Sequence, residues 1–318
     1  MSPGERRWLL LLTVAALLSR LAWALWLHPP RDHVFHDMRA YLVHARWLVE
    51  HGLEPWQAMA FQPPGTSILL AGPLAIFGVE SLTIAALLWA LLAAARIPLA
   101  YLLTREIGSR PWMAPAVGVA TLLWMPGLSY AGLFTSEAPY STALLAACLL
   151  LARLTRPRLG WPHTLATGLV CALAFLLRPQ IAAALLLIVA FVVGLTLLRR
   201  RRGQDPPLPG LRATSIAAFT LPLVLALTFN LLWVRHHIGH FAGVATSSTA
   251  NLVLGRCHLT RVQAYPDLPA MIRSNSLEDG AVVGSPALWS LAQRFDDPNH
   301  PYAPRPAFGV DAMVTSIS

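Results

Sequence analysis

The chain contains no lysine, and charged residues make up only 12% of its 318 residues. A soluble domain is about a quarter charged, so this composition excludes an ordinary soluble globular protein. All 24 basic residues are arginines, in short clusters between apolar segments, and this clustering argues against nucleic-acid binding despite the net charge of +9. Three cysteines do not make a disulfide framework. The absence of lysine favours a GC-rich bacterial genome.

Long apolar segments predict an all-α membrane protein whose helices contact membrane lipids. A transmembrane helix needs about 20 apolar residues, and seven segments are candidates: 8–27, 81–103, 111–130, 138–152, 161–177, 180–198 and 213–234. Residues 66–77 are also apolar but short for a crossing. If residues 66–77 do not cross the membrane, the arginine clusters after the second, fourth and sixth spans all lie in the cytoplasm, as the positive-inside rule expects. We therefore predict seven transmembrane helices within residues 1–234.

This topology places several polar segments on the non-cytoplasmic face, which is the periplasmic face of a bacterial inner membrane. They are the outer loop 28–80, the turns 135–139 and 178–179, and everything after residue 234. Residues 235–318 are rich in Pro, Asn, Asp and Ser and contain no further span. We expect them to form a periplasmic segment that is truncated from a longer protein.

Within the outer loop, residues 36–52 predict a short amphipathic helix. Its apolar residues recur at helical spacing and form one stripe: Met38, Leu42, Ala45 and Val49. A helix of this kind lies in the interface plane of a membrane, with its polar side toward water. We therefore expect the stripe to face the membrane. A Pro-Pro-Gly turn at 63–65 ends the segment.

Charged residues on the predicted outer face are the first candidates for a functional site. A carboxylate such as Asp37 or Glu137 is suited to act as a general base, and a neighbouring Arg178 is suited to bind a phosphate. Each also has a structural interpretation. Asp37 fits the N-cap of the amphipathic helix, Glu137 a first-turn acid that complements a helix dipole, and Arg178 a snorkelling residue. Arg20, inside the first span, needs a partner.

Three histidines follow the last span: His236, His237 and His240. Their spacing suits a metal ion on a helix. No carboxylate or cysteine joins them nearby in the sequence, so we predict no metal site there.

The order of these features resembles that of a known family. Arg20 in the first span is followed by D-x-x-x-Y-x-x-x-A, which begins at Asp37 and contains Tyr41, and then by H-G, P-P-G and a short helix ending in F-G. Later come S-E at 136–137, R-P at 178–179 and N-L-x-x-G starting at Asn251. This series, over about residues 8–260, resembles the GT-C membrane glycosyltransferases, particularly the protein-mannosyltransferase-like and lipid A aminoarabinose transferase-like branch.

The resemblance implies a seven-span core, interfacial helices after the first span and a polyprenyl-phosphate-linked sugar as donor. It also implies that an outer-loop Asp, here Asp37, activates a hydroxyl of a lipid, glycan or protein acceptor for inverting transfer. Glu137 is the second catalytic candidate. The candidate substrate contacts are Arg178, Arg20, His36, Tyr41, Gln62 and Asn251.

Two positions depart from the family pattern. Met38 stands where many relatives have a glutamate, which weakens the case for a divalent cation beside Asp37, the one cofactor that stays possible. Gln62 stands where many have a lysine, which weakens the case for a phosphate contact there. Two other functions also stay open. A transporter or flippase would favour midplane charges and internal repeats, and an inactive homologue would keep the fold without the chemistry.

Overall fold

The computed structural model describes residues 1–32, 34, 36–108, 110–154, 160–202 and 213–245. In these ranges the chain is all helical and contains no strand, which confirms the all-α prediction. Short π or 3-10 turns join several of the α-helices. The α-helices are α1 (Pro3–Ala22), α2 (His36–His51), α3 (Gly65–Phe77), α4 (Leu82–Glu106), α5 (Met113–Leu123), α6 (Met125–Ser129), α7 (Glu137–Arg153), α8 (Trp161–Leu177), α9 (Ile181–Arg201) and α10 (Ala213–Ile238).

Three segments of the described chain are long and apolar enough to cross a membrane: Pro3–Asp32, Leu82–Glu106 and Thr214–Ile238. Shorter apolar helices occur at Gly65–Phe77, Met113–Leu123, Trp161–Leu177 and Ile181–Leu195. The 13 residues of α3 extend for about 20 Å, against a hydrocarbon core of about 30 Å. The helices thus support a membrane protein, and the number of spans stays a prediction.

Helix α4 forms the centre of the bundle and packs against α1, α3, α5 and α7. Many of its buried residues are alanines: Ala85, Ala86, Ala90, Ala93, Ala94 and Ala100. Small side chains let helix backbones approach closely, which is how helices associate in a membrane. The indole Nε1 of Trp89 donates a hydrogen bond to the Thr135 carbonyl at 3.0 Å. This bond fixes the segment that leads into α7.

The apolar stripe of α2 faces protein rather than lipid. Met38, Leu42 and Ala45 are buried in one cluster with residues of α3 and α4, including Leu74 and Trp89. The position of the helix agrees with the prediction for residues 36–52, but the expected orientation of its stripe is wrong. The reason is that α3 and α4 together offer an apolar surface that the stripe covers.

Helices α8 and α10 pack together closely, and glycine makes the approach possible. A Cβ on Gly168 would lie 2.4 Å from the Phe219 carbonyl oxygen. A second glycine, Gly65, brings the start of α3 against the end of α8, because its Cβ would lie 2.6 Å from the Leu176 carbonyl carbon. Any larger residue at either position would push the backbones apart.

Candidate functional site

The end of α8 and the start of α7 meet in an ion pair between Arg178 and Glu137. Arg178 is the C-cap of α8, and its Nε donates a hydrogen bond to the Ser136 Oγ at 2.8 Å. Its Nη2 donates to the Glu137 carboxylate, and its Cζ lies 5.8 Å from the centroid of the Tyr140 ring, within cation–π range. The Arg178 and Glu137 side chains are 33% and 29% exposed, so one side of the pair faces solvent.

Tyr41 brings α2 to this ion pair. The Tyr41 side chain is buried and hydrogen-bonded to Ser136. Burial raises the pKa of Tyr41, and the carboxylates of Asp37 and Glu137 act in the same direction. The phenol is therefore protonated at neutral pH. Asp37 lies one helical turn before Tyr41 and is exposed.

These residues form a group that we call the outer cluster: Asp37, Tyr41, Ser136, Glu137 and Arg178. It combines an exposed carboxylate, a neutral phenol and a guanidinium on one side of the helix bundle. A guanidinium has five N–H donors, and two of those of Arg178 are directed at Ser136 and Glu137. The arrangement can therefore bind an anion at Arg178 while Asp37 accepts a proton.

Asp37 lies inside the first turn of α2, because the helix begins at His36. Its position therefore does not fit the predicted N-cap, although a first-turn carboxylate still complements the helix dipole. Glu137 is the first residue of α7. This position agrees with its interpretation as a first-turn acid that complements the helix dipole. Both dipole effects are compatible with a functional role of the same carboxylates.

Arg20 has its partners on α5 rather than in the outer cluster. It is 1% exposed, and its Nη2 donates to the Leu122 carbonyl at 2.9 Å. Helix α5 ends one residue later, and Trp124 takes an extended conformation. A helix end away from water leaves carbonyl groups without partners, and a cation there also complements the dipole. This placement explains Arg20 structurally and gives no support to a substrate contact.

A second buried arginine stabilises the same break. Arg96 on α4 donates from Nη2 to the Gly127 carbonyl of α6 and from Nη1 to the Ser141 Oγ at 3.3 Å. The prediction of one continuous span over residues 111–130 does not contain this break at Trp124. The adjacent Pro126 and Gly127 are the signal that could have found it.

The remaining predicted substrate contacts are Gln62, His36 and Asn251. Gln62 is 8% exposed and lies before α3, next to the Pro-Pro-Gly turn. The backbone of His36 begins α2. The side chain of His36 and all of Asn251 lie outside the described residues, so their predicted roles stay predictions.

Three hydrogen bonds attach the segment Leu53–Gln62, which we call the strap, to the end of α10. His236 Nε2 donates to the Leu53 carbonyl at 2.5 Å, and the Trp56 backbone N–H donates to His237 Nδ1 at 3.1 Å. The Trp233 indole donates to the Met59 carbonyl at 3.0 Å. Two of the α10 histidines thus bind backbone groups. Among the described residues, no group of three or more His, Cys, Asp or Glu could hold a metal ion.

His44 of α2 lies beneath the strap, with its ring edge-on to Trp56 at 5.6 Å between centroids. Burial lowers the pKa of His44 to about 4, and the nearby His237 contributes in the same direction. The imidazole is therefore neutral at physiological pH. The strap is therefore in contact with the His44 ring on one side and hydrogen-bonded to His236 and His237 on the other.

No protein-family model, curated protein or solved structure matches the chain. The resemblance to GT-C glycosyltransferases therefore rests on the motifs in this sequence, and the function has to be argued from the outer cluster.

Proposed function

We propose that this chain is the membrane core of a glycosyltransferase. It transfers a sugar from a polyprenyl phosphate to a hydroxyl of a lipid, glycan or protein at the periplasmic face of a bacterial inner membrane. In this proposal seven helical segments cross the membrane: α1, α4, α5 with α6, α7, α8, α9 and α10. Helices α2 and α3 belong to the outer loop. The short length of α3 and its position beside α8 support this assignment.

The observation that carries the proposal is the ion pair of Arg178 with Glu137. Tyr41 reaches this pair through its hydrogen bond with Ser136 and lies one turn from Asp37. In the reaction, Asp37 takes the proton of the acceptor hydroxyl, and the acceptor oxygen attacks the anomeric carbon from the face opposite the phosphate. The bond between that carbon and the phosphate oxygen breaks with inversion. The charge that develops on the leaving polyprenyl phosphate is stabilised by Arg178.

Glu137 keeps Arg178 in place before the donor arrives. A long cationic side chain loses rotamer freedom when it binds a ligand, and the contacts with Glu137 and Ser136 fix the guanidinium in advance. The incoming phosphate then shares Arg178 with the Glu137 carboxylate, or displaces that carboxylate. In this view Glu137 is a positioning residue, and Asp37 acts as the general base.

One observation favours a second function, that of a transporter or flippase for an amphipathic substrate. The break between α5 and α6 is a discontinuous helix inside the bundle, a feature that transporters use to form binding sites. Here, however, Arg20 and Arg96 already bind carbonyl groups at the break. The break thus has a structural explanation, and we prefer the glycosyltransferase.

The proposal is tested by binding of undecaprenyl phosphate to the purified chain, measured by native mass spectrometry in detergent. Arg178→Lys keeps the charge but loses the planar fork, and we expect about tenfold weaker binding. Arg46→Lys is the matched control, because Arg46 also forms an ion pair, with Glu80 of the outer loop at 2.8 Å. Equal affinities of the two variants and the wild type would contradict a phosphate contact at Arg178.

A further inference from the structure

Several buried polar side chains lie between the start of α3 and the end of α10 without a hydrogen-bond partner in the described part of the chain. The atoms concerned are Gln62 Oε1, Thr66 Oγ1, His237 Nε2 and both amide atoms of Asn230. The four residues are 8%, 0%, 3% and 0% exposed, respectively. Leaving a buried polar group without a partner costs stability, so a concentration of such groups points to a ligand. We call these four residues the polar seam.

Helix packing brings Thr66 and Asn230 to the same level of the bundle. Leu177 at the end of α8 shares one apolar cluster with Ala226 of α10, and Asn230 follows Ala226 by one helical turn. On the other side, a Cβ on Gly65 would lie 2.8 Å from the Leu177 backbone nitrogen, and Thr66 is the next residue. Both residues therefore lie beside the end of α8.

The strap brings in the other two residues of the seam. Trp233 is bonded to the Met59 carbonyl and His237 to the Trp56 N–H. Asn230, Trp233 and His237 are spaced three and four residues apart, so they share one face of α10. Gln62 ends the strap and stands four residues before Thr66. The strap thus covers the face of α10 that carries the seam.

The chemistry of the seam selects neutral, hydroxyl-bearing groups. Because His237 Nδ1 accepts the Trp56 N–H, the neutral ring carries its own proton on Nε2 and donates from there. Asn230 can both donate and accept, Thr66 likewise, and Gln62 Oε1 accepts. A hydroxyl group is itself one donor and one acceptor. The seam offers no charge for a phosphate or a cation, but it matches the hydroxyl groups of a sugar.

We propose that the polar seam is the subsite for the sugar of the lipid-linked donor, and that the sugar enters when the strap moves away from α10. This inference rests on the proposed function. Its position supports it, because Arg178 directly follows Leu177, against which Gly65 packs. A phosphate bound at Arg178 therefore has its sugar beside Thr66 and Asn230.

The test compares two lipids on the full chain in detergent. One is undecaprenyl phosphate, and the other is the same lipid carrying mannose, glucose or arabinose, measured by native mass spectrometry. The test variants are Thr66→Val and Asn230→Leu, which keep side-chain volume and remove hydrogen-bonding groups. The matched control is Thr167→Val, because Thr167 is also fully buried but its Oγ1 donates to the His163 carbonyl at 2.8 Å.

We expect the wild-type chain to prefer at least one sugar-bearing lipid over the bare lipid. Thr66→Val and Asn230→Leu should each reduce that preference about three- to tenfold, the effect of losing one hydrogen bond, while binding of the bare lipid stays unchanged. Thr167→Val should change neither affinity. If Asn230→Leu folds poorly, the more conservative variant Thr66→Val tests the inference by itself.

Two results would overturn the inference. If the wild type binds both lipids equally, or if the seam variants keep its preference, the seam takes up ordered water and is not a sugar subsite. In that case the phosphate contact of the proposed function still stands. If the wild type binds neither lipid, the proposed function falls as well.

Discussion

The guanidinium of Arg178 at the end of α8 is ion-paired with the carboxylate of Glu137 at the start of α7. A cation at a helix C-terminus and an anion at an N-terminus each complement the helix dipole. The pair would therefore stabilise these two helices even without a substrate.

Replacing Glu137 with Gln removes the anion that competes for Arg178. We expect undecaprenyl phosphate to bind roughly fivefold more tightly, because an exposed ion pair contributes up to about 1 kcal/mol. The measurement is the lipid titration by native mass spectrometry. Glu80→Gln, at the ion pair of Arg46 in the outer loop, is the control and should leave the affinity unchanged. Weaker lipid binding by Glu137→Gln would show that the positioning of Arg178 by Glu137 outweighs the competition between the two anions.

Asp37→Asn removes the proposed general base without changing side-chain size. We expect donor turnover to fall on the order of a hundredfold or more, while donor affinity and folding are kept. The assay follows loss of sugar from the lipid donor in membranes that contain the chain. Asp32→Asn is the control, since Asp32 is another exposed outer-loop aspartate, 3.5 Å from Arg31. Near wild-type turnover of Asp37→Asn would remove Asp37 from the mechanism and leave Glu137 as the next candidate.

Leu42→Asp tests the packing of the α2 stripe. Leu42 is 4% exposed, and a carboxylate in an apolar cluster has no hydrogen-bond partner, so we expect a loss of more than about 3 kcal/mol. Val43 is the adjacent residue and is 39% exposed, so Val43→Asp should be tolerated. Thermal unfolding in detergent and limited proteolysis of the outer loop measure both effects. Equal behaviour of the two variants would show that the stripe is not covered by α3 and α4.

Acidification should loosen the outer loop through His44. The pKa of His44 is lowered from 6.5 to about 4, so the unfolded chain takes up a proton at a higher pH than the folded chain does. Stability is therefore unaffected by His44 above pH 6.5 and decreases as the pH falls from about 6.5 to about 4. The difference corresponds to about 3 kcal/mol at most.

The melting temperature measured across this pH range tests the effect. His44→Phe should have a flatter profile than the wild type, because the titrating ring is gone. His51→Phe is the control, since His51 is exposed and stacks on Trp47 at 4.0 Å. A His44→Phe profile that parallels the wild type would assign the acid sensitivity to other groups.

Local patterns in the sequence predicted the helices well. They could not predict contacts between residues that are far apart in the sequence. The spacing of Met38 and Leu42 placed α2 correctly, but an apolar stripe has the same pattern whether it faces lipid or another helix. The bond between Trp56 and His237 joins residues 181 positions apart, and no local periodicity contains it. Asn230 could have been noticed as a lone amide in an apolar span, but its burial without a hydrogen-bond partner is visible only in the packed structure.

The arginines at the α5 break have a consequence for ion permeation. Arg20 and Arg96 bind carbonyl and hydroxyl oxygens there, and neither of these bonds neutralises a positive charge. The interior of the bundle therefore carries a positive electrostatic potential at this level. Fixed positive charge inside a helix bundle repels cations and protons. For the proposed glycosyltransferase, this charge would oppose an ion leak through the bundle and so help to preserve the membrane potential.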